Sequence, residues 1–223
     1  MTHRTFAILI ATLTLSTLPL STIRVSASAQ TQEPISSTRS FRQILRRLFP
    51  DDERKDPPTT SRGELCLLSP ALPDREVAIW HRQPVFVWQG TIGKMSLVDA
   101  QTNATLWTYE PAEGETSVRY EGVPLRANRS YRWQVFQTNT SDSPVLFPSF
   151  QVLPEVNRLL IANGLSVAES YAENTDSWRR LARADYFVSR RLPTDAIQSL
   201  FLVENPGDEF IAARQEAVDT LCE

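Results

Sequence analysis

The chain has 223 residues, 41% hydrophobic and 22% charged, with a formal net charge of −3. This is ordinary globular composition for one or two domains, and it excludes wholesale disorder and a strongly basic surface for nucleic acid. Two histidines, two cysteines and seven glycines are a poor stock for histidine catalysis, zinc clusters or glycine-rich phosphate loops.

The first twenty residues pair a short basic start with an apolar stretch from Phe6 to Leu20, and Ser26-Ala27-Ser28-Ala29 follows. A basic start, a short apolar core and a small-x-small site form a secretory signal peptide, with cleavage expected between Ala29 and Gln30. No cysteine stands at that point, so a lipid anchor is not expected. Export places the remaining chain in an oxidising compartment such as the periplasm or cell envelope, where Cys66 and Cys222 are expected to form a disulfide. Redox activity is not expected, because the two do not form a C-x-x-C pair.

Residues 30–62 read as a flexible linker rich in Pro, Ser and Thr. Within it, residues 40–49 carry Phe41, Ile44, Leu45, Leu48 and Phe49 at the spacing of one helical stripe, with Arg42, Arg46 and Arg47 on the polar side. Ser40 can cap this helix and Pro50 stops it. Ten residues are too few for a stable isolated helix, so the segment must dock on its own domain, a partner groove or an anionic membrane surface.

From 63 to 153 short β runs alternate with turn residues. Strands are expected at 65–68, 76–80, 84–89, 95–99, 104–109, 116–120, 130–137 and 145–152, which together predict an antiparallel β-sandwich, with a barrel as the alternative. Two details point to the immunoglobulin or fibronectin type. Phe86 and Trp88 share one face of their strand, opposite Val85 and Val87, so Trp88 can fill the core between sheets. Leu125, a turn and Tyr131 at a strand start have the form of a tyrosine corner. Trp107 or Trp133 could instead stack on carbohydrate, but core packing is the simpler reading of both.

Beyond Pro154 the period becomes helical. Helices are expected at 155–163, with a continuation past Gly164 through 166–172, then at 177–191 behind Thr175-Asp176, from Pro193, and from Asp208 to Leu221. The stretch from Tyr186 to Pro206 faintly resembles one tetratricopeptide pair, but a single unit makes no array. Residues 154–223 are therefore expected to form a helical cap on the sandwich, giving an α+β fold.

A signal peptide, a proline-containing linker, Arg62-Gly63-Glu64-Leu65-Cys66, a sandwich carrying Tyr131-Arg132-Trp133 and a helical tail together resemble an exported cyanobacterial family. That family is catalogued only as a domain of unknown function. The resemblance spans about residues 62 to 220 and differs at Leu67, where the family motif has proline after cysteine. It implies compartment and architecture, with no catalytic residue to carry over.

His81 is the one histidine left after signal removal, and it reads as a surface or turn residue. No nucleophile elbow, zinc-binding motif, P-loop or dinucleotide fingerprint occurs, so no cofactor is expected. Glu110, Glu113, Glu115 and Glu121 gather near one hairpin. They read as a solvated loop, although a glycosidase needs only two suitably spaced acids. Asn103, Asn128 and Asn139 begin N-x-S/T sequons in expected turns. The sequence thus points to a non-catalytic binding or structural module of the cell envelope, with an envelope protein or glycan as partner. A carboxylate-based hydrolase of envelope polysaccharide and a membrane adaptor acting through 40–49 are the alternatives.

Overall fold

In the computed structural model the described residues are 65–72, 76–172 and 175–222. The expected cleavage point at Ala29 and Gln30 and the segment 40–49 lie outside them. The eight β runs become β1 (Cys66–Ser69), β2 (Val77–Ile79), β3 (Val85–Gln89), β4 (Lys94–Asp99), β5 (Thr105–Tyr109), β6 (Ser117–Arg119), β7 (Arg129–Phe136) and β8 (Ser149–Val152). The helical runs become α1 (Glu155–Ser170), α2 (Asp176–Ser189), α3 (Pro193–Phe201) and α4 (Asp208–Cys222). The fold is α+β.

Two open sheets face each other. One has three strands in the order β1-β3-β6, and the other has five in the order β2-β8-β7-β4-β5. All pairings are antiparallel except β2 with β8, which run parallel. The expectation of a wholly antiparallel arrangement is corrected there. After β1 the chain leaves the small sheet, and β2 lies along the far edge of the large one beside the last strand. Five intervening strands supply the crossover that a parallel pair requires. The last strand is also shorter than expected: residues 145–148 meet β7 through an isolated bridge between Leu146 and Val135 and through the Trp133 N–H donated to the Pro148 carbonyl at 2.9 Å, and regular pairing starts after Pro148. Proline has no N–H to donate to a ladder.

Alternation along the strands builds the core. Phe86 and Trp88 of β3 point inward with Met95, Leu97, Trp133, Val135 and Phe150 from the large sheet. Val85 and Val87 point the other way, yet they too are buried, because Leu68, Ile197 and Val218 cover them. The small sheet is therefore packed on both faces, by the large sheet and by helices α3 and α4. That explains the unbroken apolar run of β3.

Gly164 does not interrupt α1. A side chain there would collide with the ring and hydroxyl of Tyr186 on α2, so the glycine admits close helix contact. Thr175 Oγ1 caps α2 by accepting the Trp178 N–H at 3.3 Å. Helix α3 is buried nearly all round, from Thr194 through Leu200. It lies between α2 and the small sheet.

Cys66 and Cys222 form a disulfide, with Cα atoms 5.7 Å apart and 156 residues between them in sequence. It ties the first strand to the last turn of α4. A loop of that length corresponds to about 5 kcal/mol of stabilisation in the chain-entropy account.

Candidate functional site

The polar chemistry of the interior gathers where the end of β2 meets the helices. Pro193 starts α3, and Asp195 falls in its first turn, where a carboxylate suits the positive end of the helix. The Asp195 side chain is fully buried. It accepts the Trp80 N–H at 2.9 and 3.0 Å, the His81 N–H at 3.1 Å and the His81 ring at Nδ1, 2.6 Å away. A carboxylate held by three N–H groups recovers inside the protein the hydrogen bonds it gave up in water.

His81 lies in the bend between β2 and β3, as the turn reading had it, but the surface reading is corrected: its side chain is only 11% exposed. The ring stands edge-on to Trp80, centroids 5.1 Å apart, and lies 5.5 Å from Phe187 of α2. Bonding to Asp195 places the proton on Nδ1. Nε2 is buried and has no hydrogen-bond partner among the described residues.

Trp80 ties the same corner to α1. Its indole N–H donates to the Arg158 carbonyl at 3.0 Å, and Arg158 Nε–H donates back to the Trp80 carbonyl at 2.9 Å. The guanidinium carbons of Arg158 and Arg183 lie 5.5 and 5.7 Å from the Trp80 ring. Two further contacts join α3 to β3 and to itself: Gln198 Oε1 accepts the Val85 N–H at 3.1 Å, and Ser199 Oγ donates to the Asp195 carbonyl at 2.9 Å.

An imidazole oriented by a carboxylate is two-thirds of a nucleophilic triad, but the third member has to reach Nε2. Among the described residues no hydroxyl or thiol does so, and both cysteines are joined to each other. Among the described residues no group of three or more His, Cys, Asp or Glu could hold a metal ion. What the geometry can do is fix one end of the large sheet to three helices.

The other residues singled out in the sequence sit apart from this corner. Trp88 and Trp133 are fully buried, so Trp133 offers no stacking surface. Trp107 is half-buried and stacked between Phe86 and Tyr109 at 5.4 and 5.3 Å. Tyr131 Oη accepts the Arg126 N–H at 2.8 Å, bonding the backbone upstream of β7.

Among the clustered acids, Glu115 accepts the Tyr109 hydroxyl and the Ala112 N–H, which closes its own loop. Burial, and then the Glu115 carboxylate, push the Tyr109 hydroxyl above its usual range. Glu110, Glu113 and Glu121 are exposed.

At the end of β4, Arg129 donates to Asp99 at 2.7 and 3.1 Å, and the backbone N–H groups of Gln101 and Thr102 add two more bonds. The guanidinium, ahead of those N–H groups, holds the Asp99 carboxyl well below the usual carboxylate range. Asn103 and Asn128 both take left-handed turn conformations, with φ of 57°.

Asp195 was not singled out in the sequence. Its only local signal is an acid just after a helix-starting proline, and its partners lie 114 and 115 residues away.

No protein-family model matches the chain, and no curated protein matches it either. Among the described residues no helix is long and apolar enough to cross a membrane.

Proposed function

We propose that residues 63–153 form a sandwich of the immunoglobulin or fibronectin type, and that the chain is an exported, non-catalytic binding or structural module of the cell envelope. The strand order supports the first part. In the lettering of such sandwiches, β1, β3 and β6 stand as A, B and E, while β8, β7 and β4 stand as G, F and C. On this reading β5 is the added C′ strand, β2 is the part of A that has crossed to G, and Tyr131 makes the tyrosine corner at the start of F.

One observation carries the second part. The side chains with reactive chemistry serve the scaffold: His81 is bonded to a buried carboxylate, and Cys66 is joined to Cys222. The disulfide also suits an oxidising compartment. The partner on this reading is an envelope protein or glycan.

Expression of the full chain in a bacterial host, followed by mass spectrometry of each cell fraction, tests the proposal. It expects an envelope or periplasmic product starting at Gln30 with the disulfide intact. An unprocessed, reduced cytoplasmic chain would overturn it. So would hydrolysis of envelope polysaccharide that His81→Asn abolishes in a still-folded protein.

A further inference from the structure

We propose that the Cys66–Cys222 disulfide is a redox latch: its reduction by a dithiol lets the last turns of α4 come away from the small sheet while both sheets stay folded. The end of α4 is weakly specified by its own sequence. The last four carbonyls of a helix have no partners within it, and the partial negative charge they create is relieved by basic side chains. The last turn of α4 has no basic residue, and Asp219 adds a further negative charge there. Among the described side chains in the C-terminal half of α4, Val218 is the one that is buried. It packs with Leu68, Val85, Val87 and Ile197, and Leu221 and Cys222 lie half-buried beside it. Asp219 also accepts from Gln89 Nε2 at 3.1 Å, on an exposed surface where water competes for both groups.

Tied to β1 through the sulfurs, this end cannot fray unless the first strand moves with it. Freed, it has the marks of a segment that opens at low cost, with little buried apolar surface and exposed polar contacts. Cys66 and Cys222 are half-buried, not sealed in the core, which leaves the bond within reach of an incoming thiolate. That thiolate attacks one sulfur, the S–S bond breaks, and the other cysteine leaves as a thiolate. The second thiol of the reductant then displaces the mixed disulfide. Cys66 and Cys222 end as two thiols, having gained two electrons and two protons, and the reductant ends as its own disulfide. The pair is thus the substrate of a dithiol, such as a reduced C-x-x-C site, and not itself a redox catalyst. Opening uncovers part of the outer face of β1 and β3 at Leu68, Val85 and Val87. Helix α3 stays in place, because Gln198 Oε1 holds the Val85 N–H at 3.1 Å.

Hydrogen exchange of the purified, oxidised protein before and after treatment with dithiothreitol in native buffer tests this, with maleimide labelling to count the thiols released. Both cysteines should become labelled. Amides at 216–222 should exchange at least about a hundredfold faster, while those of β4 and β7 change by less than about threefold. The double variant Cys66→Ala/Cys222→Ala should show the same pattern without reductant. Three results would each overturn the proposal: a bond that dithiothreitol reduces only in denaturant, an α4 end that keeps its protection once both thiols are free, and a loss of protection that spreads to β4 and β7.

Discussion

The two sheets and the helices are held by different kinds of contact. Between the sheets the joint is apolar interdigitation centred on Trp88, Trp133, Phe86 and Phe150. Between the sheets and the helices, apolar packing is supplemented by a few directional bonds to Asp195, Gln198 and Arg158, and by one disulfide. An apolar core loses stability with the size of the cavity that a truncation leaves, and the loss is shared by everything packed around it. A polar joint fails at individual atoms, because each buried N–H left without its acceptor costs free energy of its own. The helices should thus be separable from the sheets by a single substitution, whereas the sheets should not be separable from each other.

The largest expected effect tests the apolar side. Trp133→Ala should cost about 3–5 kcal/mol and lower the urea midpoint of sheets and helices together. A helical signal that survives after the β signal is lost would break the comparison.

Next comes the α1–α2 contact. Gly164→Ala should cost about 1–3 kcal/mol through overpacking against Tyr186, and Tyr186→Phe in the same chain should recover only part of that, since the ring carbons beneath the hydroxyl also crowd the new methyl group. The hydroxyl is buried without a partner among the described residues, so its removal carries little penalty of its own. A double-mutant cycle reads the coupling, and strict additivity would show that the two residues do not press on each other.

Tyr131→Phe should cost about 1 kcal/mol, one hydrogen bond to the Arg126 N–H, measured by thermal unfolding.

The smallest effect is confined to acid. The folded-state Asp99 carboxyl is depressed by Arg129, so its contribution is fully present above the ordinary carboxylate pKa and is lost as pH falls through the folded value. Asp99→Asn should therefore be less stable than the parent at pH 7, and the gap should narrow only below about pH 4. A gap that changed between pH 6 and 8 would point to another group.

The same contrast accounts for what could be read in the sequence. Strands and helices declared themselves through period and punctuation, since the inward faces of β3 and β7, the cap at Thr175 and the helix-starting Pro193 are local properties. The disulfide followed from cysteine number and from the expectation of export. The joint between β2 and α3 was not legible, because Asp195, Trp80 and His81 are ordinary residues until the fold brings them together. The exposure of His81 was misjudged for that reason, though not its place in a turn: a histidine beside a strand end looks exposed until a helix more than a hundred residues later covers it. The parallel pairing of β2 was likewise invisible, since a three-residue strand carries no mark of the sheet it will join.

Hydrogen exchange on Asp195→Ala tests the central claim most directly. The account predicts faster exchange at Trp80, His81 and throughout α3, with protection retained in β4 and β7. Protection lost equally in sheets and helices, or lost nowhere, would contradict it.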